Sequence, residues 1–599
     1  MSNVKTIKTR DFIEDKYKWK IEKLYESVSK WEEDFEKLKK ETPILKTFSS
    51  QLNNPEKLME FFKKYVDMSR ALDKIYVYAQ LKGDEDTSNT VYQGLRSKID
   101  TFMAEFRSYY AYLEPEILSL PEDYLEKAIE KVPELKEYRF FLDKILNQKP
   151  HTLSKEKEEL LASVSSCLYA AEDIYSMLTN ADMTFPVIKD EEGNEVELTE
   201  VNYGTFIRSK DRRVREDAFK ALFSTYKKYI NTIATSLTFN IKNLVLETKI
   251  RNYDSCLETA LKPNNIPLDV YNSSLETVNK HLSLLHRYVD IKKRLLGLSD
   301  IHMYDLYVPV IDVEKEHIEY EDAVNIVKEG LHPLGEEYLS IFSEGIKEGW
   351  VDVFENKGKR GGAYSWGCYD SMPYVLLNYN YGLDDVSTLA HEMGHSIHSY
   401  YSREEQPYIY SEYTIFCAEV ASTCNEALLI NYLINKEKDR NKRLYLINQE
   451  LEQIRTTVFR QLMFAEFEAI THSTMEKGSS LTGEDLNKIW HDLNVKYFGP
   501  SMIIDEEIDI EWARIPHFYG DFYVYQYATG YAAASSFANS ILKEGEKAVE
   551  RYKGFLKAGG SDYPINILKK AGVDMTTSKP LEATMMRFKE LLDMLEEEI

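Results

Sequence analysis

His391-Glu392-Met393-Gly394-His395 is the stretch that decides how this chain reads. Two histidines four apart lie on one face of an α-helix, one turn above each other. Their imidazoles can therefore hold one Zn²⁺. The glutamate after the first histidine then stands beside the open coordination position, where it can take a proton from water. The chemistry implied is metal-assisted hydrolysis, most often of a peptide bond. The flanking sequence supports a helix. Asp384 or Asp385 is placed to cap its start, and Val386, Leu389, Ala390, Met393 and Ile397 recur at helical spacing as a buried stripe. Gly394 is a poor helix former and fits a place where something approaches the backbone closely.

A catalytic zinc site takes three protein ligands. The extended pattern HExxHxxGxxH is ruled out, because His398 stands at its glycine and Tyr401 at its last histidine. The third ligand is expected from a later helix within Tyr413–Leu429. Glu412, Glu419 and Glu426 are seven apart and can project from similar faces, so spacing does not choose among them. The small and apolar neighbours Ala418, Val420, Ala421 and Ala427 make the segment look buried, and a buried carboxylate needs a partner.

Several stretches together carry a family resemblance. They are Gly358–Gly367, Pro373–Tyr379, the HEMGHSIHSYYS box and the FCAEVASTCNE box, with Ala181–Pro186, Ser209–Arg215 and the opening Trp19–Tyr25. They resemble the M3 family of zinc metallopeptidases, in its oligoendopeptidase F branch, over nearly the whole chain. The resemblance implies a mainly α, two-lobed, zincin-type fold with a deep central channel and a small β-sheet near the active site. It implies one Zn²⁺ per chain, held by His391, His395 and Glu419. Glu392 would be the catalytic carboxylate, and Glu426 would orient a ligand histidine through its free ring N–H. The implied activity is a metalloendopeptidase cutting short unfolded oligopeptides.

Arg514–Tyr531 is the second informative stretch, a glycine-punctuated mixture of His and Tyr. Related zinc peptidases use a His and a Tyr here for substrate and oxyanion. By that resemblance His517 binds substrate or transition state, and Tyr527 donates to the oxyanion. Tyr523 and Tyr525 are weaker alternatives.

Elsewhere the sequence speaks of architecture. Residues 10 to 180 read as a succession of amphipathic Lys/Glu-rich helices, as in Trp31–Leu38. Together with the family resemblance, which implies the channel, two regions are expected, a helical 1–180 forming part of the channel wall and a catalytic 181–599. The second holds the zinc site at 391–426 and the His/Tyr segment at 514–531. Thr184–Ile188 and Glu195–Thr199 flank a polar loop and read as a β-hairpin. Helix is expected from about Tyr203 to Leu246. A β region is expected over about 362–380, where an open strand edge would pair with an extended peptide.

The first eleven residues have no apolar core of a secretory leader, and no run approaches a membrane span. The five cysteines are odd in number and lack CxxC pairs, which argues against a disulfide framework. Cytoplasm is the expected compartment. A net charge of −25 argues against nucleic-acid and anionic-membrane partners. No Gly-x-Met-Glu-Asn signature for a free amine is present, so an aminopeptidase is disfavoured.

Overall fold

The computed structural model describes residues 7–311, 313–314 and 316–599. Residues 1–6, part of the N-terminal stretch read for a leader, lie outside the described residues. Helix dominates, as the periodicity predicts, and the strands are two or three residues long. No helix among the described residues is long and apolar enough to cross a membrane. The cysteines are free, with Cys167 exposed and the others buried.

Two compact units emerge. One comprises Met1–Lys149, Lys315–Tyr432 and Phe537–Gly572; the other comprises Pro150–Glu314, Leu433–Ser536 and Val573–Ile599. They are not the consecutive stretches 1–180 and 181–599: residues 150–180 group with the second unit and 315–432 with the first. Uniform Lys/Glu-rich helices carry no change of composition that would mark such crossings.

In the first unit the amphipathic pattern packs as read. Trp31, Phe35 and Leu38 are buried on one helix face, and the Trp31 Nε1–H donates to the Ile75 carbonyl at 2.8 Å. A buried ionic knot fastens the early chain to the sheet region. Arg10 contacts Asp352 at 2.5 Å and Glu85 at 2.9 Å, and Lys359 reaches Asp352 at 2.7 Å. Each charge has its counter-charge, without which burial would cost several kcal/mol per ion on the scale of roughly 3–5.

The expected hairpin is present as β1 (Val187–Lys189) and β2 (Glu195–Glu197), antiparallel with Ile188 opposite Val196. Its loop closes on Asp190, whose carboxylate accepts from the Asn194 N–H at 2.8 Å, while Gly193 takes φ of +84°. The helix expected to run unbroken from Tyr203 is interrupted. It ends at Phe206 and restarts as Arg212–Ile250, with Asp211 as N-cap. The break is held by Arg215, which donates to the Ser209 and Lys210 carbonyls and pairs at 2.7 Å with buried Asp305. A short parallel pair, β3 (Ile301–His302) with β7 (Met502–Ile503), had no sequence signal.

The expected β region resolves into a turn between two strands. β4 (Val351–Asp352), β5 (Tyr364–Trp366) and β6 (Tyr374–Leu376) form one sheet in the order β4-β6-β5. β6 runs parallel to β4 and antiparallel to β5. Its three residues are fully buried, as a central strand should be, whereas those of β5 are half-buried. Within the sheet β5 is an edge strand.

Candidate metal centre

The histidine helix spans Leu383–Glu405. Gly382 is its N-cap residue. Neither aspartate caps the helix in the way expected. Instead Asp385, in the first turn, reaches back to accept the Gly382 N–H at 2.9 Å. Tyr381, one residue before, sits in the left-handed region at φ of +63°, and its carbonyl accepts the Ile318 N–H at 2.8 Å. Val386, Leu389, Ala390, Met393 and Ile397 are all fully buried. That face fixes the helix and turns His391 and His395 to its partly exposed side.

The glutamate helix, Ile415–Lys436, lies directly against it. The approach is set by Gly394. A Cβ built there would stand 2.6 Å from Ser422 Cα and 2.9 Å from the Ala421 carbonyl oxygen. Asn425 bridges the same two helices: its amide donates to the Ala390 carbonyl at 3.0 Å and accepts from the Tyr338 hydroxyl at 2.9 Å. Gly394→Ala therefore sets two effects against each other. Helix propensity favours alanine by about 1 kcal/mol. Overpacking against backbone disfavours it by roughly 1–3 kcal/mol, and the backbone atoms cannot move aside as a side chain can. The clash should win, spreading the helices and loosening metal binding. Metal titration of Gly394→Ala checks this, and an affinity equal to wild type would refute it.

With the helices at this distance three donor atoms converge. His391 Nε2 and His395 Nε2 are 3.2 Å apart. Glu419 Oε2 is 3.3 Å from the first and 3.4 Å from the second. A tetrahedral ion bound at about 2.0–2.1 Å has ligand-to-ligand edges of about 3.3–3.4 Å. The triangle is thus the size of one face of such a polyhedron, and two imidazoles with one carboxylate are a donor set zinc accepts. His391, His395 and Glu419 are the one such group among the described residues.

The remaining glutamates separate by geometry. Glu426 Oε2 lies 3.2 Å from His391 Nδ1, the ring nitrogen that faces away from the triangle. This contact fixes which nitrogen of His391 is offered to a metal. Glu412 precedes the helix, is largely exposed and pairs with Arg403 at 3.2 Å. Glu392 is 7 % exposed. Burial raises its pKa; the charges of His391 and His395 oppose that, and those of Glu419 and Glu426 add to it. Burial alone would lower the His391 pKa, but hydrogen bonds to Glu419 and Glu426 and their charges outweigh it and lift the ring to about 10. The same imidazoles hold Glu419 well below the usual carboxylate range against its own burial. Two carboxylates around one imidazole pair thus create a field that calls for positive charge.

Sequence reading missed the clasp that sets the sheet beside the helix. The hydroxyls of Ser365 on β5 and Ser396 on the histidine helix are 2.8 Å apart. Serines at unrelated positions give no signal of pairing.

The second segment, in the other unit, brings three of its four candidates together. His517 lies on a 3₁₀ turn, Pro516–Tyr519, and Tyr527 in the first turn of the helix Tyr525–Glu544. Ring centroids of His517 and Tyr523 are 6.3 Å apart, those of His517 and Tyr527 6.2 Å, and those of Tyr523 and Tyr527 5.4 Å. His517 is exposed and both tyrosines half-buried, so all three can meet a ligand. Tyr525 does not join them. It is 1 % exposed and packs edge-on against Tyr271 at 5.2 Å, so its expected substrate role gives way to a core role. At the start of a helix, positions 523, 525 and 527 do not share a face, and the middle one turns inward.

Comparison with known proteins agrees with this architecture. Residues 205–587 match Peptidase family M3, and residues 116–185 match Oligopeptidase F. The chain is 47 % identical to the oligopeptidase PepF of Bacillus subtilis, over 97 % of this chain and 87 % of that protein. It is 42 % identical to the group B oligopeptidase PepB of Streptococcus agalactiae, over 98 % of both. The crystal structure of oligoendopeptidase-F from Enterococcus faecium superposes with a TM-score of 0.74 at 39 % identity, covering 95 % of this chain and 99 % of that one. Helical fold, site composition and relatives agree: the chain belongs to peptidase family M3, in its oligoendopeptidase F branch.

Proposed function

We propose that this peptidase is a zinc-dependent endopeptidase of the cytoplasm that hydrolyses internal bonds of short unfolded oligopeptides. The observation that carries the reading is the triangle of His391, His395 and Glu419, sized for one tetrahedral ion. When bound, zinc supplies a Lewis acid that polarises the scissile carbonyl and makes water more acidic. Glu392, beside the triangle on its own helix, accepts the proton of the attacking water and passes it to the leaving amine. Its raised pKa suits the first half of that task, since a carboxylate that binds a proton more firmly is the better base. Glu426 holds the His391 ring in place through Nδ1. By family resemblance His517 and Tyr527 donate hydrogen bonds to substrate and to the developing oxyanion.

Edge strand β5 supports the binding of extended peptide. One side of it pairs with β6, and Ser365 anchors it to the histidine helix. A peptide added to its other side would gain main-chain hydrogen bonds irrespective of sequence, as a peptidase of broad range requires.

An unbiased library of terminally blocked peptides, followed by mass spectrometry with and without chelator, tests the proposal. Internal cuts should appear with the blocked peptides and vanish with chelator. Cleavage that persists after the metal is stripped, or that needs a free terminus, would overturn it.

A further inference from the structure

Phe522 is the anomaly of the aromatic segment. Its φ of +57° puts a bulky side chain in the left-handed region. That conformation is strained for such a residue, and the strain persists only where the surroundings over-determine it. Here they do. The Phe522 N–H donates to Glu468 Oε1 at 2.7 Å. Its ring is buried, 5.7 Å from that of Tyr271 and 4.5 Å from that of His472. One residue earlier, Asp521 Oδ1 accepts from Asn240 Nδ2 at 3.0 Å and lies 3.1 Å from His472 Nε2. Asn240 also donates to the Tyr519 carbonyl at 3.4 Å.

Glu468 and His472 stand one turn apart on the helix Arg460–Glu476, and Asn240 belongs to Arg212–Ile250. All three are buried. The turn they grip joins the 3₁₀ turn that bears His517 to the helix that bears Tyr527. The left-handed residue at Phe522 turns the chain between those two elements. The direction it leaves in sets where Tyr523 and Tyr527 stand relative to His517.

We propose that Glu468, His472 and Asn240 are positioning residues that lock the Asp521–Phe522 turn and thereby hold the His517–Tyr523–Tyr527 rings in the arrangement hydrolysis requires. This rests on the roles given to His517 and Tyr527 above. Burial first, with the charge of Asp521 adding to it, pushes the Glu468 pKa well up against the Phe522 N–H that lowers it. What the carboxyl gives the turn is an oxygen that accepts the Phe522 N–H. An amide does the same, so glutamine should serve at 468 and methionine, of similar size but without an acceptor, should not.

The test uses the metal-loaded full chain and a blocked peptide substrate. Misplacing reacting groups by about 1 Å costs up to about 10²-fold in rate, so Glu468→Met should lower kcat by roughly 10–100-fold. KM should move much less, metal content should stay at wild type, and the Phe522 amide should exchange faster with solvent. Glu468→Gln should restore kcat. A wild-type kcat in Glu468→Met, equal loss in Glu468→Gln, or a lowered kcat with the Phe522 amide still protected would each overturn the clamp. His517→Ala and Tyr527→Phe are measured alongside. If both keep the wild-type kcat, the roles assigned to those residues fail; if both are impaired while Glu468→Met is not, only the clamp fails.

Discussion

Glu392→Gln is expected to keep its metal and lose most of its activity. Glutamine has nearly the shape of glutamate and leaves His391, His395 and Glu419 untouched, so the triangle of 3.2–3.4 Å edges should persist. What it cannot do is accept a proton from water. General acid–base catalysis contributes typically 10²–10⁴-fold. The upper end is expected here, because one group serves as base toward water and as acid toward the leaving amine. Metal analysis and kcat on the same preparation check both halves. A mutant with bound metal and wild-type turnover would end the proposed role of Glu392, whereas loss of metal would show that Glu392 supports the site itself.

The second large effect concerns affinity. Glu419→Gln should bind the metal far more weakly than wild type, with activity falling in step at limiting metal and returning in part when metal is added in excess. Changing a group that merely orients a ligand costs about 10–100-fold in metal affinity, and a ligand should exceed that. Glu426→Gln, by contrast, should fall within that range. The protons give a second readout. In the metal-free protein the His391 pKa is about 10, so the ring carries a proton at neutral pH that a metal must displace. Binding should then release one proton from His391, and affinity should rise about tenfold per pH unit up to that pKa and flatten above it. Calorimetry in buffers of different ionisation enthalpy counts the proton. Binding that releases none would contradict the electrostatic picture of the centre.

Much of this was legible along the chain because it is local. A helix period of 3.6 residues puts 391 and 395 on one face and Val386, Leu389 and Met393 on another, and no distant contact is needed to see it. The β1–β2 hairpin was legible for the same reason, as a short polar loop flanked by Thr184–Ile188 and Glu195–Thr199. The interrupted helix at 207–211 was not, because the break depends on Asp305, ninety residues away along the chain, which pairs with Arg215. The unit boundaries were hidden too, since solvated Lys/Glu faces look alike wherever they pack.

The sequence by itself determined the two imidazoles, the carboxylate between them and the helix that presents them. It also identified the tyrosine-rich segment. Only the tertiary structure put Glu419 with both imidazoles, Glu426 behind His391 and Glu412 out with Arg403. It likewise sent Tyr525 into the core. The physical reason is that a seven-residue spacing fixes direction on a helix, whereas a shared ion is a matter of distance. That distance follows from how closely Gly394 lets a second backbone approach.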